Sequence, residues 1–203
     1  MGRRGAALAA GLLGYCIGAI PFGLLVARLV RRVDVRDYGS GSIGTTNVFR
    51  IAGPSAAVIT FALDVGKGTA AVLVTRALGG EAQAQAVAGC GSVIGHAWPV
   101  TARFRGGKGV ATGFGGLLIV APEVTRFALA GGLAAFAVTR IMSVCSLCGS
   151  ASALVGAAIV SGRSRRLTPL AYVATVSAVV TVRHAANLQR LAKGLEPRLF
   201  AIT

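Results

Sequence analysis

A glycine-rich segment after the first apolar run combines residue types that bind phosphate. Residues 39–50 read GSGSIGTTNVFR. Three glycines in it can adopt positive φ and so turn successive backbone N–H groups toward one point: Gly39, Gly41 and Gly44. The polar side chains between and after them add hydrogen-bond donors: Ser40, Ser42, Thr45, Thr46, Asn47 and Arg50. The pattern predicts an anion-binding loop, although an ordinary flexible polar loop has the same composition.

A second glycine-rich segment, residues 104–112, reads FRGGKGVAT. Its flexible pair, Gly106 and Gly107, precedes Lys108 and Gly109, and an apolar stretch follows. The free N–H groups and the dipole of a helix would therefore face the loop, which suits an anion. The segment is not a nucleotide-binding P-loop, because Gly109 stands where Ser or Thr would follow the lysine. Nucleotide hydrolysis is not expected.

Other charged and polar residues recur at helical spacing. Asp64 and Lys67 lie three residues apart within an apolar run, on one helical face where they can neutralise each other. A structural pair and a role in positioning substrate both remain open. Another set, spaced by three, suits either joint phosphate binding or a basic anchor followed by packing serines: Arg140, Ser143 and Ser146.

The C-terminal segment places an imidazole, an amide and a guanidinium on one helical face through His184, Asn187 and Arg190. Glu196 follows shortly after. These residues suit either a reactive face or a polar helix that leaves the membrane. His96 likewise suits either a functional role or the end of a membrane span.

The composition is typical of a membrane protein. Of the 203 residues, 54% are hydrophobic and 13% are charged, and the mean hydropathy of +0.72 is rarely reached by water-soluble domains of this size. One integral membrane domain is predicted, residues 1–203. The net charge of +15 fits anionic lipid and phosphorylated substrates. Nucleic-acid binding is not expected, because aromatic residues are only 6% of the chain and do not alternate with the cations.

Apolar runs between charges predict an all-α bundle with seven transmembrane helices: residues 6–30, 53–78, 82–100, 110–120, 124–139, 141–162 and 167–182. The first run continues past Pro21 without a clear cleavage site, so we interpret it as a membrane helix and not as a signal peptide. The fourth and fifth runs are short and glycine-rich, which leaves the count between five and seven. The 29 glycines and many alanines predict close helix packing.

Seven crossings would gather the two glycine-rich segments, the turn at Arg140 and the C-terminal tail on one side of the membrane. That side would carry thirteen Arg and Lys residues against seven on the other. The richer side is predicted to be cytoplasmic, with the N-terminus outside and the C-terminus inside. Cys145 and Cys148 form a CxxC without further ligands beside it, so no metal site is expected.

In order along the chain, these segments resemble five motifs of the bacterial acyl-phosphate-dependent glycerol-3-phosphate acyltransferases, integral membrane enzymes of phospholipid synthesis. Residues 39–50 are similar to the family's GSGNIGATNVxR, and residues 95–112 to its GHxxPxxxxFKGGKGVAT. The other matches are to DxxKG, to RxxSxxS and to HxxNxxR followed by GxE: Asp64, Lys67 and Gly68; Arg140, Ser143 and Ser146; His184, Asn187, Arg190, Gly194 and Glu196. The chain departs from the family's usual residues at Ser42, Thr45, Arg105 and Leu188, and each departure keeps the local chemistry.

The resemblance implies transfer of a fatty acyl group from acyl phosphate to the sn-1 hydroxyl of glycerol 3-phosphate, giving lysophosphatidate and inorganic phosphate. It implies seven spans in the bacterial inner membrane, with the active site facing the cytoplasm and membrane lipids around the bundle. No cofactor, metal or obligatory protein partner is implied. The acyl tail should lie in a groove between small-residue helix faces.

Roles for individual residues follow from the resemblance. Lys108 and Arg50 are expected to bind phosphate, with support from Arg140 and Ser143. The residues expected to shape the phosphate cradle are Ser40, Gly41, Gly44, Thr46, Asn47, Gly106, Gly107 and Gly109. His184 is the candidate general base, and Asn187 is expected to orient substrate. The supporting residues are Asp64, Lys67, His96, Arg190 and Glu196.

Two questions remain open at this stage. A substrate phosphate could take the proton in place of His184, since an acyl phosphate is already activated and needs mainly alignment and charge stabilisation. The HxxxxD motif of the acyl-CoA and acyl-carrier acyltransferases is absent, and no nucleophile with a matching base is evident, so an acyl-enzyme is not expected. A small transporter of a phosphorylated solute is the alternative function, because it too would need buried charges at membrane depth.

Overall fold

The computed structural model describes residues 2–199, which form ten α-helices joined by short connections. Met1 and residues 200–203, at the two ends of the predicted domain, lie outside the described residues. Two short 3₁₀ turns, Val35–Asp37 and Val100–Ala102, lie in the connections that carry the glycine-rich segments. The helices are α1 Arg3–Gly18, α2 Phe22–Arg31, α3 Thr45–Ala52, α4 Pro54–Ala77, α5 Ala82–Ala97, α6 Val110–Val120, α7 Pro122–Thr139, α8 Met142–Ser164, α9 Thr168–Arg183 and α10 Ala185–Ala192.

Within residues 2–199, three helical segments are long and apolar enough to cross a membrane, namely residues 3–31, 54–77 and 142–164. The first consists of α1 and α2 together, while α6 and α9 are shorter apolar helices. Large apolar side chains cover the outside of the bundle, as a lipid environment requires: Leu8, Leu12, Leu133, Val138 and Val155 are among those that are more than half exposed. The predicted all-helical membrane architecture is confirmed.

The first apolar run is not the continuous helix that was predicted. It breaks between α1 and α2, where Pro21 has no N–H to donate to the carbonyl of Ile17 and its ring clashes with that carbonyl, so that Ala19 and Ile20 lie outside both helices. The Ile20 carbonyl accepts a hydrogen bond from Lys67 Nζ at 2.9 Å, and the Ala19 carbonyl accepts one from the Thr101 hydroxyl. Backbone groups freed inside a membrane protein need such partners, so the buried lysine has a structural use at this break.

The short fourth and fifth apolar runs form separate helices, α6 and α7, which meet at Ala121. Pro122 starts α7, as Pro54 and Pro169 lie in the first turns of α4 and α9. Proline is tolerated there because the first N–H groups of a helix have no internal acceptor. These three helices therefore begin at or next to a proline in the sequence.

Small residues bring the helix axes close together, as the composition predicts. A Cβ atom on Gly18 of α1 would stand 2.0 Å from the Ser92 carbonyl oxygen of α5. A Cβ on Gly115 of α6 would likewise stand 2.0 Å from the Val65 carbonyl of α4. Only glycine fits where two backbones approach this closely, so these contacts fix the relative positions of four of the helices.

One end of the bundle gathers the four segments that the sequence predicted on one side. Arg36 Nη1 donates to the Ala102 carbonyl at 2.9 Å and joins the two glycine-rich connections. Arg183, at the end of α9, donates to the Gly107 carbonyl at 2.9 Å. The Leu199 N–H of the C-terminal tail donates to the Arg140 carbonyl at 2.9 Å. The predicted gathering of these segments at one end is confirmed.

Candidate active site

A polar cavity of about 140 Å³ lies where these segments meet. It is walled by the residue 39–50 loop, the start of α6, the start of α8 and the C-terminal tail. Most of the predicted site residues line it: Ser40, Gly44, Thr46, Asn47, Arg50, Asp64, His96, Lys108, Gly109, Ser143, His184, Asn187, Arg190 and Glu196. The structure therefore brings five sequence motifs to one cavity.

The first glycine-rich loop is shaped by a single buried amide. Asn47 Nδ2 donates to the carbonyls of Val35 and Ser42, both at 2.9 Å, and to that of Tyr38 at 3.1 Å. Asn47 Oδ1 accepts from the Ser40 N–H at 3.0 Å. The Asn47 side chain, which was expected to shape the phosphate cradle, therefore makes its hydrogen bonds to the backbone of the loop and of the residues just before it.

Two of the three glycines expected to have positive φ do so. Gly39 has φ +58° and Gly41 has φ +67°, values that favour glycine. Gly44 has φ −76° and an extended conformation at the N-terminus of α3, so for this glycine the expectation is wrong. The loop turns at its first two glycines and then enters the helix that carries Arg50.

Asp34 and Arg36 brace the outer side of this loop. Arg36 Nη2 lies 2.6 Å from Asp34 Oδ2, and the hydrogen bonds from Arg36 lower the pKa of Asp34 well below its usual range. Arg105 Nη2 donates to the Arg36 carbonyl at 3.2 Å. The brace therefore ties the two glycine-rich loops together without taking part in the cavity.

Two cations of the cavity have no ion-pair partner within 4 Å among residues 2–199, namely Lys108 and Arg50. Burial lowers the pKa of Lys108 to about 8; the charge of Glu196 acts in the opposite sense, while Arg190, Arg50 and Arg183 reinforce the lowering. An anion in the cavity would stabilise the charged form of Lys108, because opposite charges attract. The two cations therefore make the cavity a candidate phosphate site.

The tail is organised around Glu196. Its Oε1 accepts hydrogen bonds from Ser143 Oγ at 2.8 Å and from Asn187 Nδ2, and its Oε2 accepts from Arg190 Nε at 2.7 Å. Burial alone would raise the pKa of Glu196, but the hydrogen bonds from Asn187, Ser143 and Arg190 outweigh it and hold the pKa below its usual range. A carboxylate therefore fixes the amide, hydroxyl and guanidinium that face the cavity.

His184 presents one nitrogen atom for chemistry. Its Nδ1 lies 2.8 Å from the Val180 carbonyl oxygen, which can only accept, so Nδ1 carries the proton and Nε2 keeps a free lone pair. Burial and the nearby charge of Lys108 lower the pKa of His184 to about 4. The imidazole is therefore neutral at physiological pH and is a weak base.

A buried charged group forms the inner end of the cavity. Lys67 Nζ lies 2.8 Å from Asp64 Oδ1, and both side chains are almost fully buried. The predicted pairing on one helical face is confirmed. His96 Nδ1 lies 3.5 Å from the same carboxylate oxygen. Asp64 and His96 line the cavity, whereas Lys67 lies behind them against the break in the first span.

An apolar cavity of about 230 Å³ adjoins the polar one. It lies between α6, α7, α8 and α9, with glycines and small residues such as Gly132, Gly149 and Ala153 in its walls. Five residues line both cavities: Phe61, Val110, Ala111, Met142 and Ser146. A molecule with a polar head and an apolar tail could therefore occupy the two together.

Some predicted residues lie outside the cavity lining. Gly41, Gly106 and Gly107 form the backbone behind its wall. Arg140 is exposed, and its backbone has φ +59° at the end of α7, where its carbonyl and not its guanidinium meets the tail. The role of Arg140 in phosphate binding stays a prediction.

One residue that the sequence did not single out is Arg183, which donates to the carbonyls of Gly106 and Gly107. Its only signal in the sequence is its place directly before His184. Within residues 2–199, no group of three His, Cys, Asp or Glu side chains is arranged to hold a metal ion.

The sequence model of the glycerol-3-phosphate acyltransferase family matches residues 8–194. A glycerol-3-phosphate acyltransferase of Jannaschia sp. is 41% identical over 191 residues, which are 93% of this chain and 90% of that protein. One from Rubrobacter xylanophilus is 45% identical over 190 residues, 91% of each chain.

Two crystal structures share the fold. They are of PlsY (YgiH), an integral membrane glycerol 3-phosphate acyltransferase, in its glycerol 3-phosphate form and in its lysophosphatidic acid form. The TM-scores are 0.85 and 0.83, and the sequence identity is 34% for both. The superposition covers 95% of this chain and 94% of the other.

Proposed function

The chain belongs to the glycerol-3-phosphate acyltransferase family, and we propose that it transfers a fatty acyl group from acyl phosphate to the sn-1 hydroxyl of glycerol 3-phosphate. The products are lysophosphatidate and inorganic phosphate. The observation that carries this proposal is the polar cavity with Lys108 and Arg50, which have no ion-pair partner within residues 2–199, and the apolar cavity beside it, which could hold an acyl chain. The family match does not favour transport of a phosphorylated solute.

Both substrates carry phosphate, and the cavity offers two kinds of anion ligand. Lys108 and Arg50 supply positive charge from the two glycine-rich loops, and Ser143 and Arg190 face them from α8 and the tail. The N–H groups at the start of α6 add a backbone site beside Gly109. These ligands would hold the acceptor phosphate and the phosphate that leaves with increased charge as its bond to the carbonyl carbon breaks.

The reaction needs alignment more than an additional nucleophile. The acceptor hydroxyl oxygen attacks the acyl carbonyl carbon, the C–O bond to phosphate breaks, and the hydroxyl proton passes to a base. Holding both substrates in one cavity supplies much of the rate acceleration, because it converts an encounter of two molecules into a reaction within one complex. Asn187, fixed by Glu196, would orient the acceptor.

The base is either His184 or a substrate phosphate. The Nε2 lone pair of His184 is free to accept the proton, but a pKa of about 4 makes the imidazole a weaker base than a phosphate monoester, whose second pKa is about 6. We therefore propose that a substrate phosphate takes the proton and that His184 orients the hydroxyl. An unchanged rate in His184→Ala would remove His184 from both roles.

The acyl chain would lie in the apolar cavity, with its carbonyl at the residues shared by the two cavities. Leu129 and Leu133 of α7 line this cavity and are 45% and 62% exposed, so a long chain can enter from the bilayer. We propose seven crossings, in which α1 and α2 act as one span, and one domain over residues 1–203. The richer cationic side, which holds the cavity, would face the cytoplasm of a bacterial inner membrane.

The test is phosphate release from palmitoyl phosphate by the purified full-length protein, with and without glycerol 3-phosphate. We expect release that depends on the acceptor and is abolished in Lys108→Ala. Lys193→Ala is the matched control, because Lys193 is an exposed lysine at the same end of the molecule. Release that ignores the acceptor would indicate hydrolysis, and no release from a folded wild-type protein would refute the proposal.

A further inference from the structure

The Gly106–Lys108 segment must be held from outside, because its own residues offer little to hold it. Two consecutive glycines leave the backbone freer than any other residue pair and provide no side chain for bracing. Gly106 and Gly107 are nevertheless buried, and Lys108 is half-buried. The order of this segment therefore depends on hydrogen bonds from other parts of the chain.

Arg183 supplies two of these bonds. Its Nε donates to the Gly107 carbonyl at 2.9 Å and its Nη2 donates to the Gly106 carbonyl at 3.1 Å. The guanidinium carbon lies 5.6 Å from the centre of the Trp98 ring. A planar guanidinium that grips two successive carbonyls and stacks on an aromatic ring fixes their direction, which a lysine ammonium would not do.

His96 holds the other side of the segment. Its carbonyl accepts from the Gly107 N–H at 3.0 Å. A Cβ atom on Gly107 would stand 2.1 Å from Nε2 of the His96 ring, so the imidazole fills the space where a side chain would be. The segment is thus held between the guanidinium of Arg183 and the end of α5.

The two carbonyls that Arg183 binds determine where the following N–H groups point. In a trans peptide the C=O and N–H bonds point in opposite directions. The Gly106–Gly107 peptide shows this directly, since its C=O faces Arg183 and its N–H faces His96. The next peptide also turns its C=O to Arg183, so the Lys108 N–H points away from Arg183. Lys108 and His96 line the cavity, whereas Arg183 does not.

We propose that Arg183 is a positioning residue for the acyltransferase reaction: by holding the carbonyls of Gly106 and Gly107, it aims the Lys108 backbone N–H and side chain at a substrate phosphate. This inference rests on the proposed function, because it takes the bound phosphate to be that of a substrate. Arg183 itself does not line the cavity, so it acts through the loop.

The simpler role for Arg183 is that of a basic anchor at the end of a membrane helix. The two roles make different demands on the side chain. An anchor needs a positive charge, which lysine also has, whereas positioning needs the planar fork. Arg183→Lys therefore distinguishes between them, and it keeps the charge that the folded protein has at this place.

The experiment compares Arg183→Lys and Arg183→Gln with the wild-type protein, using inorganic phosphate as the probe. Phosphate affinity is measured twice: as inhibition of acyl transfer and as the phosphate-dependent rise in melting temperature. The KM for each substrate and the kcat are measured alongside. Arg103→Gln is the matched control, because Arg103 is an exposed arginine in the same connection. KM values for the two substrates distinguish which phosphate the loop holds.

We expect Arg183→Lys to weaken phosphate binding about tenfold and to lower kcat/KM by about 10- to 100-fold, since a displacement of the order of 1 Å has such effects. Arg183→Gln should do the same or more, and Arg103→Gln should behave as wild type. Phosphate affinity and KM at wild-type values in Arg183→Lys would overturn the proposal, even if the melting temperature fell. The melting experiment needs no turnover, so it tests Arg183 even if the wild-type protein proves not to transfer acyl groups.

Discussion

The two glycine-rich loops that face the cavity are held in opposite ways. The first, residues 39–47, is braced from within by Asn47, whose four hydrogen bonds all end at residues 35–42. The second, residues 104–109, is held from outside by Arg183 and by the His96 carbonyl. A locally braced loop keeps its shape on its own, whereas the second loop takes its shape from the helices that meet it.

This difference predicts which changes spread through the molecule. The first loop should respond chiefly to changes at Asn47, within the loop itself. The second loop should respond to changes at the ends of α5 and α9, far away in sequence. The cationic residues differ too, since Arg50 carries a planar guanidinium, whereas Lys108 carries an ammonium group with a pKa of about 8.

The largest effect is expected from Asn47→Ala, which removes the internal brace. Three carbonyls and the Ser40 N–H would lose their partner, and the Val35 carbonyl among them is buried, so the fold should be destabilised by about 2–4 kcal/mol. With the loop no longer fixed, kcat/KM should fall at least about a hundredfold. Thermal unfolding and acyl transfer measure the two effects.

Asn47→Asp sharpens the same test. It keeps an oxygen for the Ser40 N–H but turns a carboxylate toward the carbonyls of Val35, Tyr38 and Ser42. It should be no better than Asn47→Ala. Gln189→Ala, which removes an exposed amide from α10, should leave both measurements unchanged. Wild-type activity in either Asn47 variant would contradict the internal brace.

The next effect is expected from Glu196→Gln, which weakens the tail that faces both loops. The carboxylate of Glu196 accepts hydrogen bonds from Ser143, Asn187 and Arg190. In the variant one of its two oxygens becomes an NH₂ group, which cannot accept from these donors. We expect a loss of about 1–3 kcal/mol at pH 7 and a fall of about 10- to 100-fold in kcat/KM. Glu81→Gln is the control, because the Glu81 side chain is 69% exposed at the other end of the bundle.

The pH dependence of this loss has a definite sign. The pKa of Glu196 is lower in the folded protein than its usual value of 4.5, so its stabilisation is complete above that value and is lost as the pH falls through the lower, folded value. The stability difference between wild type and Glu196→Gln should therefore shrink in acid. Unfolding measured at pH 7 and near pH 4 checks this. A constant difference would show that the charge of Glu196 is unimportant.

The contrast between the two cations predicts a smaller effect of alkaline pH. Lys108 is charged below a pKa of about 8, so inhibition by inorganic phosphate should weaken as the pH rises above that value, by at most about tenfold per unit. Inorganic phosphate gains its second negative charge near neutral pH, so it is already mainly a dianion there. Lys108→Arg should give a flat profile from about pH 8 to 9.5. A flat profile in the wild-type protein would contradict the role of Lys108.

Local patterns predicted much of this architecture, while long-range contacts set the rest. The pairing of Asp64 with Lys67 follows from a spacing of three on one helix, and the structure confirms it at 2.8 Å. The break at Pro21 was missed, although the proline is visible in the sequence. Its freed carbonyl is paired with Lys67, 47 residues away, and no local pattern reveals that partner.

The same limit applies within the site. The types and order of residues in the motifs predicted most of the cavity lining. The left-handed backbone of Arg140 at the end of α7, which brings its carbonyl to the tail, was not predicted, and its role in phosphate binding stays a prediction. Arg183 was missed because its value lies in two carbonyls that are 76 and 77 residues away. A side chain that acts by binding the backbone of a distant segment cannot be recognised from the residue types in the sequence.

The smallest effect is expected where neither loop is involved, in the apolar cavity. Cys145 lines it, whereas Cys148, one turn further along α8, is exposed on the outside of the bundle. Cys145→Phe should occupy space needed by the acyl chain and raise the KM for palmitoyl phosphate about fivefold, with a smaller change for a shorter chain, since each buried methylene contributes about 0.8 kcal/mol. Cys148→Phe adds the same ring outside the cavity and should change nothing. The KM for glycerol 3-phosphate should stay constant in both variants, because the two loops bind phosphate and not the chain. An equal rise for both substrates would show that the apolar cavity and the loops are not separate determinants.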